Sequence, residues 1–302
     1  MNEIGRRITN KLIEIYGSAD FSIAFLPYKR SMWNCMASVY TECQAAGAKA
    51  YCIPIPYFKI IDGKIEGVSS DRPYYDDARD ITFLEQNTFD FVVIHYPYDD
   101  KNKVTRMCSA FYTSELRKYG KVIYIPYSCT NMRQLRIQSG IANADYVFLG
   151  SEAEAEAFVN EWQDFGIDFT GRVFGLGSPK MDAMQNCGTG SATLVINSLG
   201  PFLTSPFNRF KLYQQYITNE IDRGRTVIFR PHPLLRQTIR SMRPDTLSAY
   251  NEFLRWCDRQ DNVTVDESED LETALSSADY LISDPSSVLE MWMTSGREYT
   301  II

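Results

Sequence analysis

The sequence predicts an α/β protein of two domains, each a parallel sheet with helices on both faces. Three observations carry this. The 302 residues exceed one ordinary domain of about 100–200 residues. Short runs rich in β-branched and aromatic residues alternate with helical patterns along the whole chain, the arrangement that builds parallel sheets. A Gly- and Ser-rich stretch at residues 177–191 divides the series in two and reads as a linker.

Residues 1–16 pattern as a short amphipathic helix. FSIAFLPY at 21–28 reads as a buried strand, followed by a helix over 32–46 that Gly47 ends, and a strand over 48–56. Gly, Pro and Ser make 57–75 a loop, with room for a small hairpin. A helix over 76–86 leads to the strand DFVVIHYP at 90–97. A helix over 105–118, a strand over 121–127, a helix over 131–141, a strand over 145–150, a helix over 152–162 and a strand over 172–176 complete the first half. The second half reads as strands at 193–197, 226–230, 262–265, 279–283 and 298–302, alternating with helices at 208–223, 234–259, 271–278 and 286–295. The chain stops on the apolar strand EYTII, where such a domain more often continues into a helix. That ending fits a truncated product or an unusual terminus.

Composition narrows the function classes. Apolar residues at 44% and charged residues at 23% are a globular balance. A net charge of -7 argues against nucleic acid as a partner. No run approaches the roughly 20 apolar residues of a membrane span, and the N-terminus lacks a signal peptide's apolar core, so a cytoplasmic protein is expected. The cysteines at 35, 43, 52, 108, 129, 187 and 257 are odd in number and never spaced C-x-x-C, which fits reduced thiols. With only two histidines, no metal site is predicted and no cofactor motif is seen.

Two strand ends in the second half are chemically loaded. At residues 227–233, VIFRPHP, a buried strand runs into Arg230 and then His232, which sits between two prolines that stiffen its backbone. An imidazole N–H there can donate to a phosphate oxygen and stabilise a leaving phosphate. Arg236, Arg240 and Arg243 follow at a spacing that shares one helix face, and Arg matches phosphate in a bidentate geometry. The second end is YLISDPSSVLE at 280–290. Its helix starts with Asp284 as N-cap and Pro285 inside, or with Ser287 as N-cap and Glu290 completing a capping box. Either start puts free backbone N–H groups and Ser hydroxyls where an anion binds. Ordinary turns and well-capped helices are the plain alternatives at both ends.

In the first half, Lys29 and Arg30 join the first strand to its helix, where a ligand would lie, though no dinucleotide fingerprint is present. His95 ends another strand. As the only histidine of this half it is the natural general base, with Asp99 to orient it; a satisfied structural histidine is the competing reading.

RPHP at 230–233 and SDPSS at 283–287 together resemble the CDP-glycerol glycerophosphotransferase family, whose members make teichoic-acid and related capsule polymers. The resemblance implies a GT-B type fold: two Rossmann-like domains with parallel sheets facing a cleft, an acceptor-side domain at 1–180 and a nucleotide-donor domain at 181–302. It also implies that Arg230, His232, Asp284, Ser286 and Ser287 contact the donor diphosphate. GLGSPKMD at 175–182 looks like the family's G-x-P-R-x-D, with Lys180 in the Arg place, Asp182 matching and one extra residue. The family's catalytic His lies in an H-G-T-P-like motif after the strand matching 121–127. Here that place reads PYSCT, with no His. Either His95 substitutes for it, or another acceptor or reaction is used.

These readings converge on a transferase that moves a polyol phosphate, glycerol phosphate first, from a CDP-linked donor to a hydroxyl of a cell-wall or capsule acceptor. Lys29, Arg30, Lys180 and Arg236 are its expected substrate-binding cations. The expected partners are CDP-glycerol or a similar donor and a polyanionic or glycan acceptor, with peripheral association at the inner face of the membrane. A GT-B nucleotide-sugar glycosyltransferase and a non-catalytic nucleotide-phosphate binding module are the alternatives.

Overall fold

A computed structural model describes residues 2–61, 64–70, 78–99, 101–102, 105–129, 136–186, 189–205, 209–268 and 270–302. The chain divides into two compact units, Met1–Ala183 and Met184–Ile302.

The first unit contains α1 (Glu3–Tyr16), β1 (Ser22–Phe25), α2 (Ala37–Ala46), β2 (Lys49–Cys52), the hairpin β3 (Tyr57–Ile61) and β4 (Lys64–Ser69), α3 (Ile81–Gln86), β5 (Phe91–Ile94), α4 (Thr113–Leu116), β6 (Lys121–Tyr124), β7 (Tyr146–Leu149), α5 (Glu152–Gln163) and β8 (Val173–Gly175). Helix α6 (Pro179–Asn186) follows. The main sheet runs β2-β1-β5-β6-β7-β8, every neighbouring pair parallel. Strand β5, FVVI, is buried along its whole length because helices cover both faces of the sheet. Successive residues feed alternate cores: Val92 and Ile94 join one apolar cluster, Phe91 and Val93 the other.

The second unit holds β9 (Ala192–Ile196), α7 (Leu199–Thr204), α8 (Arg209–Asp222), β10 (Val227–Arg230), α9 (Leu235–Met242), α10 (Leu247–Cys257), β11 (Val263–Val265), α11 (Leu271–Ser276), β12 (Ala278–Ser283), α12 (Ser287–Met293) and β13 (Glu298–Ile301). Its sheet is also all parallel, in the order β11-β10-β9-β12-β13. The central strand β9, ATLVI, is buried throughout. Gly190 lets the chain enter β9 against Ser277, whose carbonyl oxygen lies 2.1 Å from where a Cβ would stand.

Several boundaries differ from the sequence reading. Residues 179–186, expected in a linker, are helical. Helix α6 opens on Pro179, a residue suited to the first helical position. Its Asp182 accepts the backbone N–H groups of Ile4 (3.0 Å) and Gly5 (2.7 Å), capping α1. The helix expected over 32–46 starts as a 3-10 turn, Arg30–Cys35, and Met36 at φ −141° separates it from α2. The helix expected over 105–118 is two short turns, because Tyr112 is extended between them. The long helical stretch at 234–259 breaks at Arg243 (φ −140°) and Pro244, since proline cannot continue a helix. Part of the helix expected over 131–141 lies outside the described residues, and Ser139–Asn143 forms a 3-10 turn. Residues 71–77 also lie outside them; α3 begins at Ile81, where Asp80 accepts the N–H of Phe83. Helix α7 had no counterpart in the sequence reading. Among the described residues, no helix is long and apolar enough to cross a membrane.

Candidate functional site

The second unit gathers its loaded residues at one edge of its sheet. Strand β9 lies between β10 and β12, with Ile196 registered against both Arg230 and Ser283. All three strands are parallel, so their C-terminal ends emerge side by side, at the edge where open α/β sheets bind ligands. The continuations are Asn197 and Ser198 after β9, Pro231 and His232 after β10, and Asp284 to Ser286 after β12. The β9 end ties the other two together. Asn197 Oδ1 accepts the backbone N–H of His232 at 3.0 Å, and Ser198 donates its N–H to Asp284 at 2.9 Å.

His232 is half-buried. Its Nδ1 accepts the backbone N–H of Leu234 at 3.1 Å, which puts the ring proton of the neutral form on Nε2. Burial holds its pKa below the ordinary histidine value, so the neutral form dominates at pH 7. Among the described residues its Nε2 makes no hydrogen bond.

Of the other predicted contacts, Asp284, Ser286 and Arg230 are already engaged. Asp284 is wholly buried, and its carboxylate accepts from the Arg209 guanidinium, from the Tyr213 hydroxyl at 2.5 Å and from Ser198 N–H. It is a structural hub, so neither an anion contact nor an N-cap role is open to its side chain. The N-cap is Ser286, whose Oγ accepts the N–H of Leu289 at 3.2 Å, which also displaces Ser287 from that role. Ser287 is exposed at the first position of α12. Arg230 is nearly buried and spends its guanidinium on Asp266 and on the Ser268 carbonyl (2.7 Å), clamping the loop after β11. Arg236 is exposed, 3.9 Å from Glu267 and over the Tyr250 ring. Arg243 lies beyond α9, donating to the Leu203 and Ser205 carbonyls near the end of α7, so it does not share a helix face with Arg236 and Arg240.

Sequence reasoning missed Asn197, Ser198, Arg209 and Tyr213. One signal was available: an Asn-Ser pair closing an otherwise apolar strand. Among the described residues, the buried Ser198 Oγ and Arg209 Nε have no hydrogen-bond partner. Burial first, then the Asp284 carboxylate, hold the Tyr213 hydroxyl above the usual phenol range.

In the first unit, His95 is fully buried at the end of β5. Its ring stacks on Tyr28 (4.8 Å, 17°), and its Nε2 accepts the Tyr28 backbone N–H at 3.4 Å. Burial first, then the Lys180 ammonium, push its pKa down to about 3. A ring this inaccessible to solvent and this weakly basic is unsuited to the general-base role expected of it. Nor does Asp99 orient it: that carboxylate accepts from Ser139 Oγ (2.6 Å) and Lys101 N–H (3.0 Å). Lys29 lies over the Tyr57 ring at 5.6 Å, and Arg30 is exposed at the start of the 3-10 turn. Lys180 lies on the first turn of α6, close enough to His95 and Cys35 to bias both.

A small cavity opens at the C-terminal edge of this sheet. Ile125, Pro126, Leu149 and Gly150 line it from the ends of β6 and β7, with Ser178 before α6 and Glu154 of α5. Among the described residues, no group of three His, Cys, Asp or Glu side chains could hold a metal.

No protein-family model matches the sequence, and neither does any curated protein. Solved structures do match the fold. The UDP-GlcNAc 2-epimerase of Methanocaldococcus jannaschii aligns at TM-score 0.54 and 10% identity, over 93% of this chain and 83% of that one. The S. aureus MnaA–UDP co-structure gives 0.54 and 14%, over 93% and 79%. The UDP-GlcNAc 2-epimerase of Neisseria meningitidis bound to UDP-GlcNAc gives 0.54 and 13%, over 93% and 82%. This likeness is one of fold: the chain has two Rossmann-like units of the GT-B type.

Proposed function

We propose that this protein is a transferase that binds a nucleotide-activated donor through its second unit and passes the activated group to a hydroxyl. One observation carries the reading: His232, locked as a neutral Nε2–H donor, and the Ser286-capped start of α12 emerge on either side of Asn197 and Ser198 at one sheet edge. A donor N–H held rigidly there stabilises the charge of a departing phosphate without reorganising. The roles of Arg230 and Asp284 become supporting ones, since they fix the loops that carry the phosphate-facing groups. A CDP-linked polyol phosphate remains the first donor to test, supported by RPHP and SDPSS. A nucleotide-sugar enzyme is the second reading, supported by a fold shared with proteins solved with UDP or UDP-GlcNAc.

The test is a thermal-shift screen of CDP-glycerol, CDP-ribitol, UDP-GlcNAc, UDP and CMP against the wild type and His232→Ala. A ligand at 100 times its Kd adds about 2.7 kcal/mol to the stability of the fold that binds it. The expected result is a clear rise with one nucleotide class, lost in His232→Ala. Equal shifts in both proteins, or none, would remove His232 from the site.

A further inference from the structure

Arg209 opens α8 and carries its guanidinium to the C-terminal edge of the second unit's sheet, where Nη2 donates to Asp284 just past β12. The residues held there form one connected set. Asn197 accepts from His232, and Ser198, the next residue, donates its N–H to the same Asp284 carboxylate that Arg209 holds. Asp284 fixes the guanidinium without using it up. Among the described residues, Nη1 makes no hydrogen bond, and Nε is buried with no partner. The side chain is 14% exposed, so part of it reaches solvent at this edge. Ser198 is short of a partner as well. It stands at the N-cap position of α7 but makes no capping bond, and its Oγ is buried and unpaired. Buried polar groups are almost always paired, so two orphans around one carboxylate mark an edge that lacks a polar neighbour. Asp284 does not cancel the cation. Its carboxylate also accepts from Tyr213 and from Ser198 N–H, which spreads its charge over three donors and leaves the guanidinium able to hold a second anion.

We propose that Arg209 is the phosphate-binding arginine of the second unit, its unspent N–H groups gripping phosphate oxygens of a nucleoside diphosphate while Ser198 Oγ donates to the same group. The inference rests on the transferase reading above and names the cation that reading lacks, since Arg230 is committed to Asp266 and Ser268. A guanidinium presents its donors as a planar fork that matches two phosphate oxygens at once, which an ammonium cannot do. Asp284 holds that fork from one side, and the Tyr213 ring lies against it at 5.6 Å. A side chain already held in this way loses little freedom when the anion arrives. Every residue named lies in the second unit.

The experiment is isothermal titration of the full chain with CDP, UDP and inorganic pyrophosphate, as wild type, Arg209→Lys, His232→Ala and the double variant Arg209→Met/Asp284→Asn. Lysine keeps a cation beside Asp284 but loses the fork, so the Kd for the diphosphate that the wild type binds should rise about tenfold. The double variant removes both charges together, and its asparagine still accepts from Tyr213 and Ser198. It should weaken that binding on the order of 10–100-fold, the worth of hydrogen bonds to a charged group. A double variant that binds as tightly as the wild type overturns the assignment, because Arg209 would then serve only to neutralise Asp284. Arg209→Lys at wild-type affinity overturns it too, and decides the matter if the double variant does not fold. His232→Ala separates the two readings. Binding lost there but unchanged in the Arg209 variants leaves the transferase site standing and removes Arg209 from it. A wild type that binds none of the three phosphates overturns the transferase reading, and this inference with it.

Discussion

Asn197 Oδ1 accepts the backbone N–H of His232 at 3.0 Å, so the side chain that ends the central strand of the second unit holds the neighbouring strand's histidine in place. Asn197 is 1% exposed. Asn197→Ala should therefore cost about 1–3 kcal/mol, the usual penalty for a buried group left unpaired. Urea denaturation measures that cost. The nucleotide-induced thermal shift should fall with it, because His232 loses its anchor.

Asp284, wholly buried, and Arg209, partly buried, form a charge pair whose members fail differently when separated. Asp284→Ala strands the guanidinium and should cost about 3–5 kcal/mol. Combining it with Arg209→Met removes the stranded charge and should recover part of that loss. A double-mutant cycle on urea midpoints checks the coupling. Additive costs would mean that the two side chains do not depend on each other.

His95 should make the protein acid-sensitive. Its folded pKa of about 3 lies below the unfolded value of 6.5. Between those values the unfolded chain binds a proton that the folded chain refuses. The contribution is therefore complete above about pH 6.5 and is lost, at about 1.4 kcal/mol per pH unit, as pH falls towards 3. His232, shifted in the same direction, adds to the slope. Urea titrations at pH 7 and pH 5 should show a shallower dependence in His95→Gln than in the wild type.

Gly190→Ala should destabilise the second unit by about 1–3 kcal/mol, since the new methyl would meet the backbone of Ser277 rather than a yielding side chain. Thermal unfolding measures this. An unchanged melting temperature would show that the entry to β9 has slack.

The elements most legible in the sequence were those with a single explanation. FVVI at β5 and ATLVI at β9 are continuous apolar runs because both faces of their sheets are covered. The break at Pro244 was hidden because the apolar spacing of α9 and α10 continues across it, so pattern outweighed the one residue that stops a helix. At the site, RPHP was readable because two prolines impose rigidity locally. The fate of Asp284 was not, since its partners Arg209 and Tyr213 come from 75 and 71 residues away and only the packed sheet edge brings them to it. His95 shows the same limit: a strand-end histidine looks alike in sequence whether it faces a ligand or a tyrosine ring.

Asp182 reaches back 178 residues to hold the first-turn amides of α1. Chain synthesis runs from the other direction, so the opening helix must wait on the ribosome until nearly the whole first unit has emerged before that clasp can close. Its apolar side, Ile8 and Leu12, rests on a cluster whose last buried member is Phe148, so a nascent chain halted before residue 182 should dock the helix yet leave its first turn frayed.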